Sequence, residues 1–176
     1  MTGRDLLAFW ITFAVILSSD LVTKDLFPPP PPGMHPHAWW LQHDWPEWIY
    51  PAWNTGVAWS LFDEHPNFVV ALTLVLVPIL IIVYWRAYRH LGLGVNLGFG
   101  AIIAGALGNA WDRLWSRLDA DMLGVRDWIS VDLDVIGIDY IWPTFNIADS
   151  GITCGFVLLL LSTWLERKPV APDQHD

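Results

Sequence analysis

Cysteine is nearly absent from this chain: Cys154 stands alone, so no intramolecular disulfide holds the fold. Its position inside an apolar stretch should keep the thiol protonated, which makes a small helix-packing residue the expected role and a nucleophile the unexpected one. Positive charge is scarce as well. Nine Lys and Arg face 18 Asp and Glu, a formal net charge of −9, which argues against nucleic acid as a partner and provides no basic patch for anionic lipid headgroups. Several catalytic signatures are missing too. There is no His-Glu-x-x-His, no Gly-x-Ser-x-Gly and no phosphate loop, so metal-assisted hydrolysis and a Ser-His triad find no support. A Ser-Lys pair of Ser18 or Ser19 with Lys24 is poorly placed, because five or six residues of helix separate the groups around the axis.

Apolar sequence is abundant. Hydrophobic residues make up 54% of the chain, charged residues 15%, and the mean hydropathy is +0.39, which is too apolar for a soluble domain of this length. We read residues 1–176 as a single integral membrane domain. A span needs about 20 mostly apolar residues, and four stretches come close, at about 6–26, 68–85, 91–111 and 147–165. Many of the 13 Trp residues lie beside their ends, among them Trp10, Trp59, Trp85, Trp111, Trp142 and Trp164, as in interfacial belts. Arg4 before the first span invites comparison with a signal peptide, yet no small-x-small site follows Ser18-Ser19-Asp20, and the segment is expected to stay as a helix.

Lys and Arg set the expected orientation. Arg4, Arg86, Arg89, Arg167 and Lys168 flank one set of span ends, while the stretch from residue 25 to 67 has neither residue type. Both termini should therefore be cytoplasmic, with connections 27–67 and 112–146 outside. Arg113, Arg117 and Arg126 lie in the latter, but seven aspartates accompany them. Connection 27–53 carries Pro28 to Pro32 in a row and further prolines among Trp and His, so it cannot be regular helix. His35, His37 and His43 lack matching Cys or carboxylate spacing, and no metal is expected there.

In the third span Gly94 and Gly98 are four apart, as are Gly100, Ala104 and Gly108. That spacing strips one helix face of bulk and predicts a central helix that neighbours approach closely. Asn109 and Asp112, three apart, share a face of it.

Charged groups at span ends are costly and point to function or to pairing. Asp20 and Lys24 are four apart and can form an intrahelical ion pair. Asp112, at the negative end of a helix dipole, calls for an arginine or Lys24 as partner. Asp149 follows Asn146 by three, so Asn146 can cap the last span while the Asp149 carboxylate reaches back to a free backbone N–H. The same geometry stabilises the ionised form that a general base requires. With the other catalytic groups missing, paired aspartates sharing one proton are the chemistry that fits: one activates water, the other polarises a carbonyl.

Four segments together carry a resemblance. Asp20-Leu21-Val22-Thr23-Lys24, Asn54-Thr55-Gly56-Val57-Ala58-Trp59-Ser60-Leu61-Phe62, Gly105-Ala106-Leu107-Gly108-Asn109-Ala110-Trp111-Asp112-Arg113-Leu114 and Trp142-Pro143-Thr144-Phe145-Asn146-Ile147-Ala148-Asp149-Ser150 resemble, in order and spacing, the lipoprotein signal peptidases, the type II signal peptidases of bacteria. The resemblance implies an all-α integral membrane protein of the bacterial inner membrane, with four transmembrane helices and a small extracytoplasmic β-rich part. It implies an aspartic endopeptidase that needs no cofactor and cuts lipid-modified prolipoproteins just before the diacylglyceryl-cysteine, with the substrate's acyl chains left in membrane lipid. A monomer is expected.

Carried over residue by residue, Asp149 matches one catalytic aspartate of that family. The other lies in a Val-Val-Asp-Phe-like segment, for which Gly124-Val125-Arg126-Asp127-Trp128-Ile129 is the best match. Arg126 stands where an apolar residue is expected, and Asp132 is the reserve candidate. Asp119, Asp121, Asp134 and Asp139 are expected to face water. Asp20, Lys24, Asn54, Asn109, Asp112, Arg113 and Asn146 fall at supporting or substrate-binding positions. The proline-rich connection departs from the family's usual form. Two rivals stand beside this reading: a small proton-coupled carrier with Asp20, Lys24, Asp112 and Asp149 as a relay, and a noncatalytic membrane scaffold.

Overall fold

A computed structural model of the chain describes residues 3–56 and 66–165. In chain order the elements are α1 (Gly3–Leu26), a short α2 (Pro36–Trp40), β1 (Ile49–Asn54), α3 (Pro66–Val83) continued by a π-helical turn Tyr84–Tyr88, α4 (Leu93–Trp115), β2 (Val125–Asp132), a 3-10 turn Leu133–Ile136, β3 (Ile141–Phe145) and α5 (Ile147–Leu165). Among the described residues four helices, α1, α3 with its π-helical turn, α4 and α5, are long and apolar enough to cross a membrane. The three strands form one antiparallel sheet in the order β1-β2-β3. The expected four-span architecture with a small β part is therefore present.

The expected limits need two corrections. α4 runs a full turn past residue 111, to Trp115, because its last turn still has neighbours to pack on; Asp112 and Arg113 thus lie in the helix and not in the connection after it. The connection at 27–53 is not wholly irregular either. Pro36 opens α2 at a position where its missing N–H costs nothing, and the His35 ring accepts from the His37 N–H at 3.2 Å. Packing also takes up all three histidines of this connection. His43 stacks on Trp45 with ring centroids 4.0 Å apart, and His37 stacks on Trp40. The proline run is strapped to the sheet end of the molecule by two indoles: Trp39 Nε1 donates to the Pro28 carbonyl at 2.9 Å and Trp53 Nε1 to that of Pro30 at 2.8 Å.

α4 is the centre of the bundle. In its apolar window 67% of residues are buried, against 11% to 17% in the other three spans. It reaches this position through two stripped faces where one was expected. Gly94, Gly98 and Gly105 lie against α5, whereas Gly100 lies against the Phe9 carbonyl of α1. α1 runs parallel to α4 and α5 antiparallel to it, so the C-terminal ends of α1 and α4 meet the N-terminal end of α5 beside the sheet. At the opposite end the Phe9, Tyr84 and Phe99 rings pack together. There Tyr84 Oη donates to Asn96 Oδ1 at 2.8 Å, and Asn96 Nδ2 donates to the Leu91 carbonyl at 2.7 Å. Cys154 differs from expectation: it is exposed on α5, and the close approach is made by Gly151 and Gly155. Trp10, Trp111, Trp142 and Trp164 are exposed, and Trp111 stacks on Trp115 at the sheet end of α4. Trp59, Arg167 and Lys168 lie outside the described residues.

A Cβ at Gly105 would sit 2.3 Å from the Ala148 carbonyl oxygen, whereas one at Gly3 would meet nothing within 4 Å. Gly105→Ala must push α5 away from α4 and should lower stability by about 1–3 kcal/mol, while Gly3→Ala should leave it unchanged. Thermal unfolding in detergent checks the pair, and equal melting temperatures would contradict this packing.

Candidate functional site

Lys24 organises the polar end of the bundle. On the last turns of α1 it shares a face with Asp20, and both are 0% exposed. Its ammonium, which can only donate, bonds to Asn109 Oδ1 at 3.2 Å and pairs ionically with Asp20 Oδ2 at 2.8 Å and Asp112 Oδ2 at 3.2 Å. The second Asp20 oxygen accepts from the Ala148 backbone N–H at 2.9 Å. That N–H is one of the free donors of the first turn of α5, so Asp20 ties α1 to the start of α5.

Asp112 finds both partners anticipated for it. Besides Lys24, it accepts from the Arg126 side chain, at 3.2 Å from Nε and 2.8 Å from Nη2, and from the Arg126 backbone N–H at 3.0 Å. Arg126 Nη1 extends to Asp25 at 2.5 Å. Arg126, noticed in the sequence only as a departure from the family pattern, thus clamps β2 to the ends of α1 and α4. Asp25 was missed; its spacing relative to Arg126 carries no signal, because 101 residues separate them.

Two asparagines transmit this frame to two carboxylates. Because Lys24 can only donate, the Asn109 carbonyl oxygen must face it and the Asn109 amide must face away. That amide donates to Asp149 Oδ1 at 2.7 Å. Asn146 is oriented in the same manner. Its Oδ1 accepts from the Asp149 N–H at 2.9 Å while its own N–H donates to Asp149 Oδ2 at 3.2 Å, which is the reciprocal capping arrangement read from the sequence. Its Nδ2 is then left to donate to Asp127 Oδ1 at 2.7 Å and to Asn109 Oδ1 at 3.0 Å. Asn54, at the end of β1, donates to the other Asp127 oxygen at 2.9 Å. Asn54 lies opposite Val125 and Ala52 opposite Asp127 in the β1–β2 register, which places the Asn54 amide beside that carboxylate.

Asp127 and Asp149 are therefore joined through one residue, Asn146, and their environments differ. Asp127 is 1% exposed and Asp149 is half-buried. Burial pushes the Asp127 carboxyl up, the negative charge of Asp149 pushes it further, and the donors Asn54 and Asn146 and the Lys24 charge offset this in part; the result is about 8. Arg113 lies within Coulombic reach of Asp149, Asp127 and Asp112. It donates from Nη2 to the Gly56 carbonyl at 2.9 Å. The rest of that motif, residues 57–62, lies outside the described residues.

The remaining candidates stand apart. Asp132 is exposed, and its side chain accepts from the Asp134 N–H at 2.9 Å to cap the 3-10 turn. Asp119, Asp121, Asp134 and Asp139 are exposed as expected. Ser18 and Ser19 spend their hydroxyls on the carbonyls of Ala14 and Val15 in their own helix. Among the described residues no three His, Cys, Asp or Glu side chains come together as metal ligands.

Comparison with known proteins gives the family. Residues 12–165 match the family described as Signal peptidase (SPase) II. The Lipoprotein signal peptidase of Halothermothrix orenii is 34% identical over 115 residues, covering 65% of this chain and 68% of that protein. Its namesake in Aquifex aeolicus is 37% identical over 121 residues, 68% of this chain and 66% of that one. A third, from Francisella tularensis subsp. novicida, is 32% identical over 120 residues, 66% of this chain and 68% of that protein. Two solved structures of a bacterial membrane enzyme superpose with a TM-score of 0.63; at 24% and 23% identity, over 97% and 95% of this chain and 96% of each of theirs, they bear on the fold alone. The matched region contains Asp20, Lys24, Asn54, Asn109, Asp112, Arg113, Asp127, Asn146 and Asp149, and the chain belongs to the signal peptidase II family of membrane proteases.

Proposed function

We propose that this protein is an aspartic endopeptidase that removes the signal peptide from diacylglyceryl-modified prolipoproteins by cutting just before the lipid-modified cysteine, with Asp127 and Asp149 as the catalytic pair. The observation that carries the reading is the shared asparagine frame: Asn146 donates to Asp127 while capping Asp149, at the end of the bundle where α5 begins. Asp149, half-buried where Asp127 is 1% exposed, is the partner that takes a proton from water. Asp127 is the neutral partner. Both amides that touch it are donors, so neither can receive its proton, which is left for the scissile carbonyl. Two carboxylates that both contact Asn146 do not both ionise cheaply.

Lys24, Asp20 and Asp112 hold the amides in register, and Arg113 supports the segment that begins at Gly56. Low dielectric around these fixed dipoles strengthens their effect on a developing oxyanion. In this reading the enzyme is a monomer of the bacterial inner membrane with both termini cytoplasmic. Arg4, Arg86 and Arg89 sit at the end of the bundle away from the sheet, which supports a site near the outer face. There the acyl chains of the substrate stay in lipid while the peptide reaches the aspartates. The carrier reading is not favoured: among the described residues the buried charges Asp20, Lys24, Asp112 and Asp127 gather at one end of the bundle and do not step across it.

The test is cleavage of a diacylglyceryl-modified prolipoprotein by detergent-purified protein. Release of the signal peptide with the modified cysteine at the new N-terminus is expected, and intact substrate in the presence of folded enzyme would overturn the reading. The pH dependence has a definite sign. Asp127 must be protonated, so kcat/KM should fall as pH rises through about 8. The same raised carboxyl means that the native state keeps a proton the unfolded chain releases above 3.8, so this group's contribution to stability also declines as pH rises from there toward about 8. A flat rate from pH 6 to pH 10 would contradict the assignment of Asp127 as the acid.

A further inference from the structure

The β2–β3 hairpin ends in an apolar tip that the catalytic geometry does not use. Val135 is 85% exposed, Ile136 68%, Ile138 50% and Ile141 64%, with Tyr140 and Trp142 at the base. Several of its main-chain groups are paired within the turn. The Gly137 N–H donates to the Asp134 carbonyl at 2.8 Å, Ile138 to Leu133 at 3.1 Å, Leu133 to Tyr140 at 3.0 Å and Tyr140 to Ile138 at 2.7 Å. Gly137 takes the left-handed turn, with φ 79°. Main-chain groups paired in this way are what entry into a water-poor layer demands.

We propose that this tip is a membrane contact beyond the four spans: it inserts shallowly into the headgroup and acyl boundary of the bilayer beside the helical bundle and binds a neutral lipid surface. Three observations select lipid as the occupant. β3 passes through Phe145 and Asn146 straight into α5, so the hairpin is continuous with the surface that crosses the membrane. Branched aliphatic side chains lie at the turn, and a Tyr and a Trp, in edge contact at 6.3 Å, lie behind them, an order that suits side chains grading from hydrocarbon to headgroup. Asp132, Asp134 and Asp139 flank the tip and are exposed. They limit insertion to the interface, roughly 5–10 Å deep, and disfavour anionic headgroups. They also count against a second copy of the chain as occupant, since two tips face to face would bring like charges together.

The test places an environment-sensitive fluorophore at Ile136→Cys in a Cys154→Ser background, in phosphatidylcholine vesicles, with Asp121→Cys as a water-exposed reference. The expected result is a blue-shifted emission at 136 that is quenched by lipids spin-labelled near the headgroup and shielded from aqueous iodide, with the reference showing the reverse. Replacing part of the phosphatidylcholine by phosphatidylglycerol should weaken the quenching by lipid. Emission and iodide access at 136 equal to those at 121 would overturn the proposal. So would a blue shift that vanishes on diluting the protein in lipid, which would assign the tip to protein contact. Neither readout depends on protease activity, so failure here is distinguishable from failure of the reaction assigned above.

Discussion

Asp149→Asn should lower cleavage about a thousandfold or more while leaving the protein folded. The carboxylate has an acceptor role at both oxygens, toward Asn109 Nδ2 at 2.7 Å and the Asn146 N–H at 3.2 Å. An asparagine keeps one acceptor and turns a donor toward the other donor, so it loses the base and also strains the cap. That conflict should cost about 1–3 kcal/mol, visible as a lower melting temperature but far too little to explain the kinetic loss by unfolding. The expected pattern is thus a modest thermal shift with turnover nearly abolished. Retention of more than a tenth of the activity in the folded variant would remove Asp149 from the chemistry.

Lys24→Met should have the largest effect on stability. The ammonium is fully buried and contacts Asp20, Asp112 and Asn109 at once. The thioether has no proton to give, so two buried carboxylates lose their common counter-charge. Removing one member of such a cluster costs about 3–5 kcal/mol. Activity should fall along with stability, because the Asn109 amide is no longer obliged to face Asp149. Unfolding in detergent, followed together with cleavage at a temperature where the variant is still folded, separates the two effects. Unchanged melting would mean that Asp20 and Asp112 do not depend on Lys24.

The parts of this site that were legible in the sequence are those encoded by short spacing. Asp20 and Lys24 are one helical turn apart, and Asn146 and Asp149 form a cap within three residues. The four spans follow from hydropathy, and the centrality of α4 follows from its small residues. What escaped depends on contacts between distant segments. Arg126 reaches Asp25 and Asp112 only because β2 folds back over the ends of α1 and α4. The depth at which Asp127 sits is set by Asn54, 73 residues away, and by Asn146. The span expected to end at about 111 continues as helix to Trp115, because hydropathy marks where apolar sequence stops and not where the helix does. Cys154 was misplaced because span composition alone does not say which side of α5 meets lipid.

The sharpest measurement compares Asp127→Asn with Asp132→Asn in single-turnover cleavage of the diacylglyceryl prolipoprotein. Both residues lie on β2, five positions apart. Asp127 is buried among Asn54 and Asn146, while Asp132 is exposed and caps a turn. If the asparagine-framed pair is the reaction centre, Asp127→Asn should lose cleavage while Asp132→Asn cleaves at the wild-type rate. Loss at 132 with activity kept at 127 would contradict the pairing of Asp127 with Asp149.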